Sequence, residues 1–210
     1  MEDFQSTIWS DECSVEKAAY ACQIWVFRTP EEKWDKDYIH AVKKGQGTSL
    51  MVWGCFWGKT HGTFVPLVVR SVNALVYHRL LKMLLLPVIA HINRTIGNAK
   101  FQQDNAPVHT VKIITLFLKR HGIVVDKYPP YSPDLNPIEH VWIHLKRYLH
   151  KMYPDIADTP GGPDAVRARL AEVLPEAWEA IPESVFEALW RSMPDRVAAV
   201  IAAKGWYTRY

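Results

Sequence analysis

Strand-like segments come first in this chain, helix-like and strand-like segments then alternate, and helix-like segments alone follow. Runs of β-branched and aromatic residues, helical spacing of apolar residues and turn residues predict these elements. The strands are predicted over 5–13, 22–28, 48–57, 63–69, 99–104 and 123–126. The helices are predicted over 73–96, 107–121, 137–151, 163–180, 182–193 and 195–203. This order is typical of an α/β core that carries a helical extension.

Prolines and glycines add detail to this order and divide the chain. Pro66 predicts that the fourth strand lies at a sheet edge or forms a bulge, and Pro87 predicts a kink in the first helix. Residues 152–162 are rich in proline and glycine, which predicts a linker. We therefore expect a core over 1–151, the linker, and a C-terminal helical extension over 163–210.

Composition limits the class of protein. With 49% hydrophobic residues, nine Trp, nine Tyr and seven Phe, the 210 residues can bury one substantial core. Cys13, Cys22 and Cys55 have no metal-like spacing, so we expect free thiols in a reducing compartment. The acidic first residues hold no signal core, and the longest apolar run, 80–92, is expected to be too short to span a bilayer. We expect a soluble intracellular protein with no membrane partner, and the net charge of +3 permits a polyanionic partner without requiring one.

Three acids stand where an α/β sheet usually forms its sites. Asp11 ends the first predicted strand, Asp104 ends the fifth, and Glu139 lies in the first turn of the helix 137–151. Three unpaired carboxylates close together repel one another, so such a cluster requires a cation, and Mg²⁺ prefers oxygen ligands. Two ions roughly 3.5–4 Å apart can activate an attacking oxygen and stabilise a leaving one, which is the chemistry of phosphodiester hydrolysis or transesterification.

Each acid also has a purely structural interpretation. A single Asp at a strand end more often caps a turn than binds a metal. The segment Asn136-Pro137-Ile138-Glu139 resembles a capping box, and taken alone this is the better interpretation of Glu139. Asp134 precedes that segment and is expected to stabilise the turn rather than to bind a metal.

Sequence strings in three places resemble the signature blocks of mariner-type DDE transposases, and more narrowly those of their fungal branch. These strings are WSDE (9–12), QDNAPVH (103–109) and YSPDLNPIEHVW (131–142). Supporting stretches are WVFRTPEEKW (25–34), MVWGCFWG (51–58) and GWYTRY (205–210). The resemblance covers nearly the whole chain, and the 34 residues between Asp104 and Glu139 are a spacing typical of one large subgroup.

The resemblance implies a fold, a reaction and a set of partners. The fold is ribonuclease H-like, with a mixed five-stranded sheet flanked by helices, and residues 1–151 become the catalytic core. Asp11, Asp104 and Glu139 become the catalytic acids that bind two Mg²⁺ or Mn²⁺ ions. Water first releases a 3′-hydroxyl at the transposon end, and that hydroxyl then attacks target DNA, which is cut-and-paste transposition. Such proteins commonly act as homodimers in the nucleus.

Other side chains near the acids are candidates for supporting roles. Asn105 orients a metal-bound water or holds its loop. His109 contacts a phosphate or a ligating acid, or is a packed histidine. His140 and His144 have a spacing that can bind zinc, but no other ligand pair supports such a site. Candidate phosphate contacts, for which an ordinary solvated face is the alternative, are Lys119, Arg120, Lys146, Arg147 and Lys151.

Apolar and aromatic residues in two segments are expected to pack in the core. In the helix 137–151 these residues are Ile138, Trp142, Leu145 and Leu149. In the strand 48–57, Trp53 and Trp57 are expected to pack rather than to stack on bases.

Three functions follow from these patterns. The first is an active transposase catalytic domain. The second is a truncated or domesticated relic that binds DNA or proteins, because only ten residues precede Asp11 and family members carry an N-terminal helix-turn-helix region there. The third is a general nuclease of the same fold, such as a ribonuclease H, which the specific string at 131–142 disfavours.

Overall fold

A mixed five-stranded sheet forms the centre of the structure, a computed structural model that describes residues 4–17, 48–69, 72–126, 129, 132–206 and 208–210. The strands are β1 (Thr7–Glu16), β2 (Ser49–Trp57), β3 (Thr60–Leu67), β4 (Lys100–Gln102) and β5 (Val124–Val125). Their order in the sheet is β3-β2-β1-β4-β5. The two pairings among β1, β2 and β3 are antiparallel, and β4 pairs in parallel with β1 and β5. The predicted strand 22–28, with Cys22, lies outside the described residues.

One face of the sheet is covered by helices from the middle of the chain. These are α1 (Ala74–Leu80), α2 (Leu86–Thr95), α3 (Pro107–Thr110) and α4 (Lys112–Arg120). A π-helical segment, Leu81–Leu85, joins α1 to α2. Pro87 has no N–H to bond with the carbonyl of Met83, and its ring crowds that carbonyl, so the predicted disturbance falls one turn before the proline.

The helix predicted over 107–121 is interrupted, so the prediction of one continuous helix was wrong. Val111 has an extended backbone (φ −64°, ψ 151°) and separates α3 from α4. Thr110 and Val111 are both β-branched, which weakens a helix at that point. After the break, α4 packs Ile114 and Leu118 into the core.

The other face is covered by the later helices. These are α5 (Ile138–Met152), α6 (Gly162–Glu179), α7 (Glu183–Arg191) and α8 (Met193–Ala202), with short 3₁₀ turns at Pro133–Leu135 and Pro154–Asp158. The predicted core positions of α5 are confirmed, since all four are at most 2% exposed. Trp53 and Trp57 are also buried, on the opposite face, so their predicted packing role is confirmed.

Helix α6 packs directly on the sheet. The Trp178 ring stacks on Phe64 of β3, with 5.0 Å between centroids and 15° between planes. It also lies 5.7 Å from the Trp142 ring of α5. Within the predicted linker 152–162, Ile156 is 1% exposed and belongs to the same hydrophobic cluster. The helices that follow α5 therefore share one core with the sheet.

The helical run Ala74–Thr95 is long and apolar enough to cross a membrane, judged by length and composition only. The expectation that this region is too short considered only residues 80–92, whereas the helical run has 22 residues. Tyr77, Leu81 and Ile92 are 0% exposed and lie in the cluster that contains Ile8 of β1. The core of the domain thus accounts for part of this run, whereas Leu75 and Met83 are exposed.

Candidate active site

The pairing of β1 with β4 sets the relative positions of two of the acids. Trp9 lies opposite Gln102 in this parallel pair, and Asp11 and Asp104 each follow two residues later. β1 continues to Glu16, so the prediction that Asp11 ends its strand was wrong. The pairing with β4 nevertheless stops at Trp9, because β4 ends at Gln102. Asp11 and Asp104 therefore stand at the same level, where β1 and the chain after β4 separate.

The third acid faces the same space from the helix side. Glu139 lies in the first turn of α5, which packs against β1. A cavity of about 520 Å³ is lined by all three acids, together with Gln102, Asn105 and Asn136 among others. The structure thus brings the three predicted acids to one cavity. Within the described ranges, however, no group of three or more His, Cys, Asp or Glu side chains is close enough to hold a metal ion.

Asp11 is oriented by an indole. The Trp142 Nε1–H donates to Asp11 Oδ2 at 3.0 Å. Asp11 pairs with Gly54 of β2, and a Cβ at Gly54 would lie 2.8 Å from Trp142 Cη2, so only glycine lets the ring approach without a shift. Burial, and next the charge of Glu139, raise the pKa of Asp11 to about 7. Without a cation, about half of the Asp11 carboxyls are protonated near neutral pH.

Asp104 is oriented by a histidine. Its Oδ1 accepts from the Ala106 amide at 2.9 Å and lies 2.5 Å from His109 Nδ1. His109 Nε2 lies 3.3 Å from Glu12 Oε1, so the imidazole bridges two carboxylates. The hydrogen bond from His109 is the main cause that lowers the pKa of Asp104. His109 therefore contacts one of the predicted metal-binding acids.

The imidazole of His109 is itself held firmly. It is 2% exposed, and its ring centroid lies 4.2 Å from that of Tyr77. Burial lowers the pKa of His109, but its bonds to Asp104 and Glu12 outweigh burial and hold the pKa at about 9. Protonated, the ring donates from both nitrogens. Its burial leaves little room for the direct phosphate contact that the sequence left open.

The capping interpretation of Glu139 is not realised. The Asn136 amide donates to Pro133 O at 2.9 Å, so it is not bonded by Glu139 as a capping box requires. Asn136 Oδ1 is buried and has no hydrogen-bond partner among the residues that the structure describes. Glu139 is exposed as a whole residue. Partial burial of its carboxyl nevertheless raises its pKa, and the charge of Asp104 adds to this, whereas Lys146 acts in the opposite direction.

Asp134 makes a long-range contact. Its Oδ2 accepts from the Thr208 amide at 3.1 Å and from Thr208 Oγ1 at 2.5 Å. This carboxylate therefore ties its turn to a residue 74 positions away.

The candidate DNA-binding cations lie at different distances from the acids. Lys146 lines a second cavity, of about 540 Å³, together with Glu139. Lys119 lines a third, of about 350 Å³, with Asp104 and Asn105. Arg120 lines a separate pocket with His78, and Arg147 and Lys151 are exposed on α5. Of the predicted set, the structure thus places Lys146 and Lys119 beside the acids.

The remaining sequence candidates are placed as follows. Asn105 is exposed at the rim of the cavity that the acids line. His140 Nδ1 lies 3.5 Å from Arg196 Nη2, and burial is the main cause that lowers its pKa.

Sequence reasoning missed the groups that orient the acids. Trp142 lies three residues after Glu139, on one helix face, and a buried indole usually bonds through its N–H, so this spacing was a usable signal. Glu12 follows Asp11 and faces the other side of the strand, where it meets His109. No local pattern connects residues 97 positions apart, so that contact was beyond sequence reasoning.

The fold and the cavity define an α/β domain of the ribonuclease H type with a carboxylate site. The model for the DDE superfamily endonucleases matches residues 6–159. The chain belongs to this family, and it is a catalytic domain of the transposase type. The resemblance to mariner-type DDE transposases is thereby confirmed.

Relatives and solved structures agree with that assignment. The Tcb2 transposase of Caenorhabditis briggsae is 34% identical over 213 residues, covering 100% of this chain and 72% of the relative. The Tc1 transposase of Caenorhabditis elegans is 34% identical over 215 residues, with the same two shares. The fold resembles the catalytic domain of Mos1 transposase, solved with raltegravir and Mg, with a TM-score of 0.62 at 17% identity, covering 99% of this chain and 87% of that one. It also resembles the Mos1 mariner paired-end complex with Mn, with a TM-score of 0.67 at 19% identity, covering 100% and 58%. The predicted mixed five-stranded, ribonuclease H-like fold is confirmed.

Proposed function

We propose that this domain cuts and rejoins DNA, with Asp11, Asp104 and Glu139 as the carboxylates that bind divalent Mg²⁺ or Mn²⁺. The observation that carries the proposal is the convergence of these three acids, from three different elements, on one cavity. Asp11 and Glu139 both have raised pKa values, in part because neighbouring carboxylates repel their charge. A site that resists its own negative charge is suited to a cation.

The residues present fit such ions. All three candidate ligands offer carboxylate oxygens, which hard divalent cations prefer. Trp142 and His109 each bond one oxygen of an acid, which orients that carboxylate and leaves it a second oxygen. When bound, two such ions would neutralise the acids, activate the attacking oxygen and stabilise the leaving oxygen of a phosphodiester.

The protein side of the reaction is mainly positioning. The β1–β4 register fixes Asp11 and Asp104 at one level, and the start of α5 brings Glu139 opposite them. Lys146 and Lys119 lie beside the acids and would attract DNA phosphates in a salt-dependent way. We propose transposon ends and target DNA as substrates, a homodimer that pairs two ends, and action in the nucleus. The names of the transposase relatives and of the Mos1 paired-end complex support this choice.

A second candidate is an inactive or domesticated domain that binds DNA or proteins. One observation favours it: as they stand, no three described acids are close enough to hold an ion. The two candidates differ in whether Asp11, Asp104 and Glu139 bind a divalent cation, so metal binding distinguishes them before any activity is measured.

Metal binding is best measured with Mn²⁺ by calorimetry and by electron paramagnetic resonance. We expect saturable binding by the wild type, and loss of that binding in Asp11→Asn. The matched control is Asp155→Asn, which removes an exposed acid from the 3₁₀ turn at Pro154–Asp158. Equal binding by the wild type and Asp11→Asn would remove the metal site and favour the inactive domain.

Activity is then measured with pre-cut DNA that ends in a 3′-hydroxyl, and with a plasmid as target. We expect strand transfer with Mg²⁺ or Mn²⁺ by the wild type and by Asp155→Asn, and none by Asp104→Asn. Equal activity of Asp104→Asn would contradict the mechanism. Efficient cleavage of RNA–DNA hybrids without action on DNA ends would indicate the general nuclease instead.

A further inference from the structure

We infer that a clamp made by Arg196, Thr208 and Tyr210 positions the loop that carries Glu139, and that the catalytic rate depends on it. The loop is the segment 132–136, which contains the 3₁₀ turn Pro133–Leu135 and runs directly into α5. The role in catalysis rests on the proposed function, whereas the hold on the loop does not.

The clamp grips Asp134 through both its side chain and its backbone. Thr208 donates to Asp134 Oδ2 from its amide at 3.1 Å and from its hydroxyl at 2.5 Å. Arg196 Nη1 donates to the Asp134 carbonyl at 2.9 Å. Hydrogen bonds to a charged acceptor are among the stronger ones in proteins. The middle residue of the loop is therefore fixed by segments 62 and 74 residues away.

The parts of the clamp also hold one another. Arg196 is 2% exposed, and its Nε donates to Ser192 Oγ at 2.9 Å. Its guanidinium carbon lies 4.8 Å from the centre of the Tyr210 ring. The Tyr210 amide donates to Thr208 Oγ1 at 3.2 Å. A buried guanidinium is costly unless its donors are satisfied, so this network has few alternative arrangements.

Backbone hydrogen bonds connect the gripped residue to the acid. The Leu135 amide donates to Ser132 O at 3.1 Å, and the Asn136 amide donates to Pro133 O at 2.9 Å. The Glu139 amide then donates to Asn136 O at 3.2 Å, which joins the loop to the first turn of α5. A displacement of Asp134 is therefore passed to Glu139 through consecutive bonded turns.

The clamp residues lie far along the chain from the loop that they hold. The family model matches residues 6–159, so Arg196, Thr208 and Tyr210 all lie beyond the matched region. Two of the strings that carry the family resemblance, 131–142 and 205–210, meet at this contact. The structure places the second string beside the loop that carries Glu139. Tyr210 also lines the 540 Å³ cavity that contains Glu139 and Lys146.

Hydrogen exchange of the metal-free protein tests the hold on the loop. Thr208→Val removes the hydroxyl and keeps the volume, and Thr208→Ser keeps the hydroxyl. Thr95→Val is the matched control, because its hydroxyl bonds only a backbone carbonyl at the exposed end of α2. We expect exchange of the amides of Leu135, Asn136, Ile138 and Glu139 to become about tenfold faster in Thr208→Val, with Thr208→Ser and Thr95→Val like the wild type.

Single-turnover strand transfer at saturating DNA tests the consequence. We expect the rate constant of Thr208→Val to fall about tenfold with unchanged DNA affinity, and Thr208→Ser to restore it. Exchange and rate like the wild type in Thr208→Val would overturn the clamp. Faster exchange spread evenly through β1 and β2 would also overturn it, because the contact would then be general support. If the wild type does not act on DNA, the proposed function fails, and local exchange alone decides whether the clamp holds the loop.

Discussion

Removal of one indole N–H should make metal binding more sensitive to pH. Trp142→Phe deletes the donor to Asp11 Oδ2, which is 3.0 Å away, and keeps an aromatic ring in the core. Trp178→Phe is the matched control. Trp178 is buried in the same cluster, and its Nε1 has no hydrogen-bond partner among the described residues. Both variants lose similar volume, but only the first loses a bond to an acid.

The size of the effect follows from the pKa of Asp11, which is about 7 in the metal-free protein. A hydrogen bond to a charged group contributes roughly 1.5–3 kcal/mol, and one pKa unit corresponds to about 1.4 kcal/mol. At the lower end of this range, Trp142→Phe raises the pKa of Asp11 by about one unit. The ionised fraction at pH 7 then falls from about one half to about one tenth, whereas at pH 9 it stays above about nine tenths.

The assay is Mn²⁺ affinity measured by calorimetry between pH 6 and pH 9, and we expect Trp142→Phe to bind about fivefold more weakly at pH 7. The deficit should disappear near pH 9, and Trp178→Phe should follow the wild type throughout. A deficit that is the same at every pH would refute the reasoning, because it would show that the indole acts through packing. A variant without any deficit would refute the contact itself.

Other predictions concern stability and the groups behind the acids. Because the pKa of Asp11 is raised on folding, its stabilising contribution is present below pH 4 and is lost as pH rises through about 7. In the presence of a chelator, the melting temperature should therefore fall from pH 5 to pH 8, and Asp11→Asn should reduce that fall. Addition of Mg²⁺ should restore stability at pH 8. His109→Phe removes the ring that orients Asp104 and should weaken Mn²⁺ affinity by about 10–100-fold, and unchanged affinity would show that Asp104 orients without it. Gly54→Ala places a Cβ 2.8 Å from Trp142 Cη2 and should lower the free energy of unfolding in urea by about 1–3 kcal/mol, whereas wild-type stability would mean that the indole moves at no cost.

The elements that a periodic pattern or a run of similar residues marks in the sequence were predictable. The four apolar positions of α5 have helical spacing, and all are buried. The long strands were found to within a few residues because β-branched and aromatic runs mark them. The predicted strand 123–126 is only Val124–Val125, since an edge strand beside the three-residue β4 has little to pair with. The prediction of one helix over 107–121 overlooked the β-branched pair Thr110 and Val111, at which the helix is interrupted.

In the site, too, the residues marked by a local pattern could be predicted, and the long-range contacts could not. Asp104 and Glu139 could be found from a predicted strand end and a predicted helix start, whereas Asp11 lies inside β1 and was supported by the resemblance of WSDE (9–12) to a family block. Their orienting partners were missed. Trp142 could have been found from its spacing after Glu139, but the contact of His109 with Glu12 joins residues 97 positions apart. Such contacts depend on which elements pack together, and no local pattern encodes that.

The three acids are not held equally, and among the described residues no three such side chains are close enough to hold an ion. Asp11 lies on β1 and Asp104 just after β4, and they accept bonds from Trp142 and from the Ala106 amide, so neighbouring groups orient both carboxylates. Glu139 has one more side-chain torsion than an aspartate and stands on a helix that begins at a loop. Glu139 is therefore the acid that is easiest to displace. A clamp on the preceding loop limits that displacement at the backbone and leaves the side chain to respond to a cation.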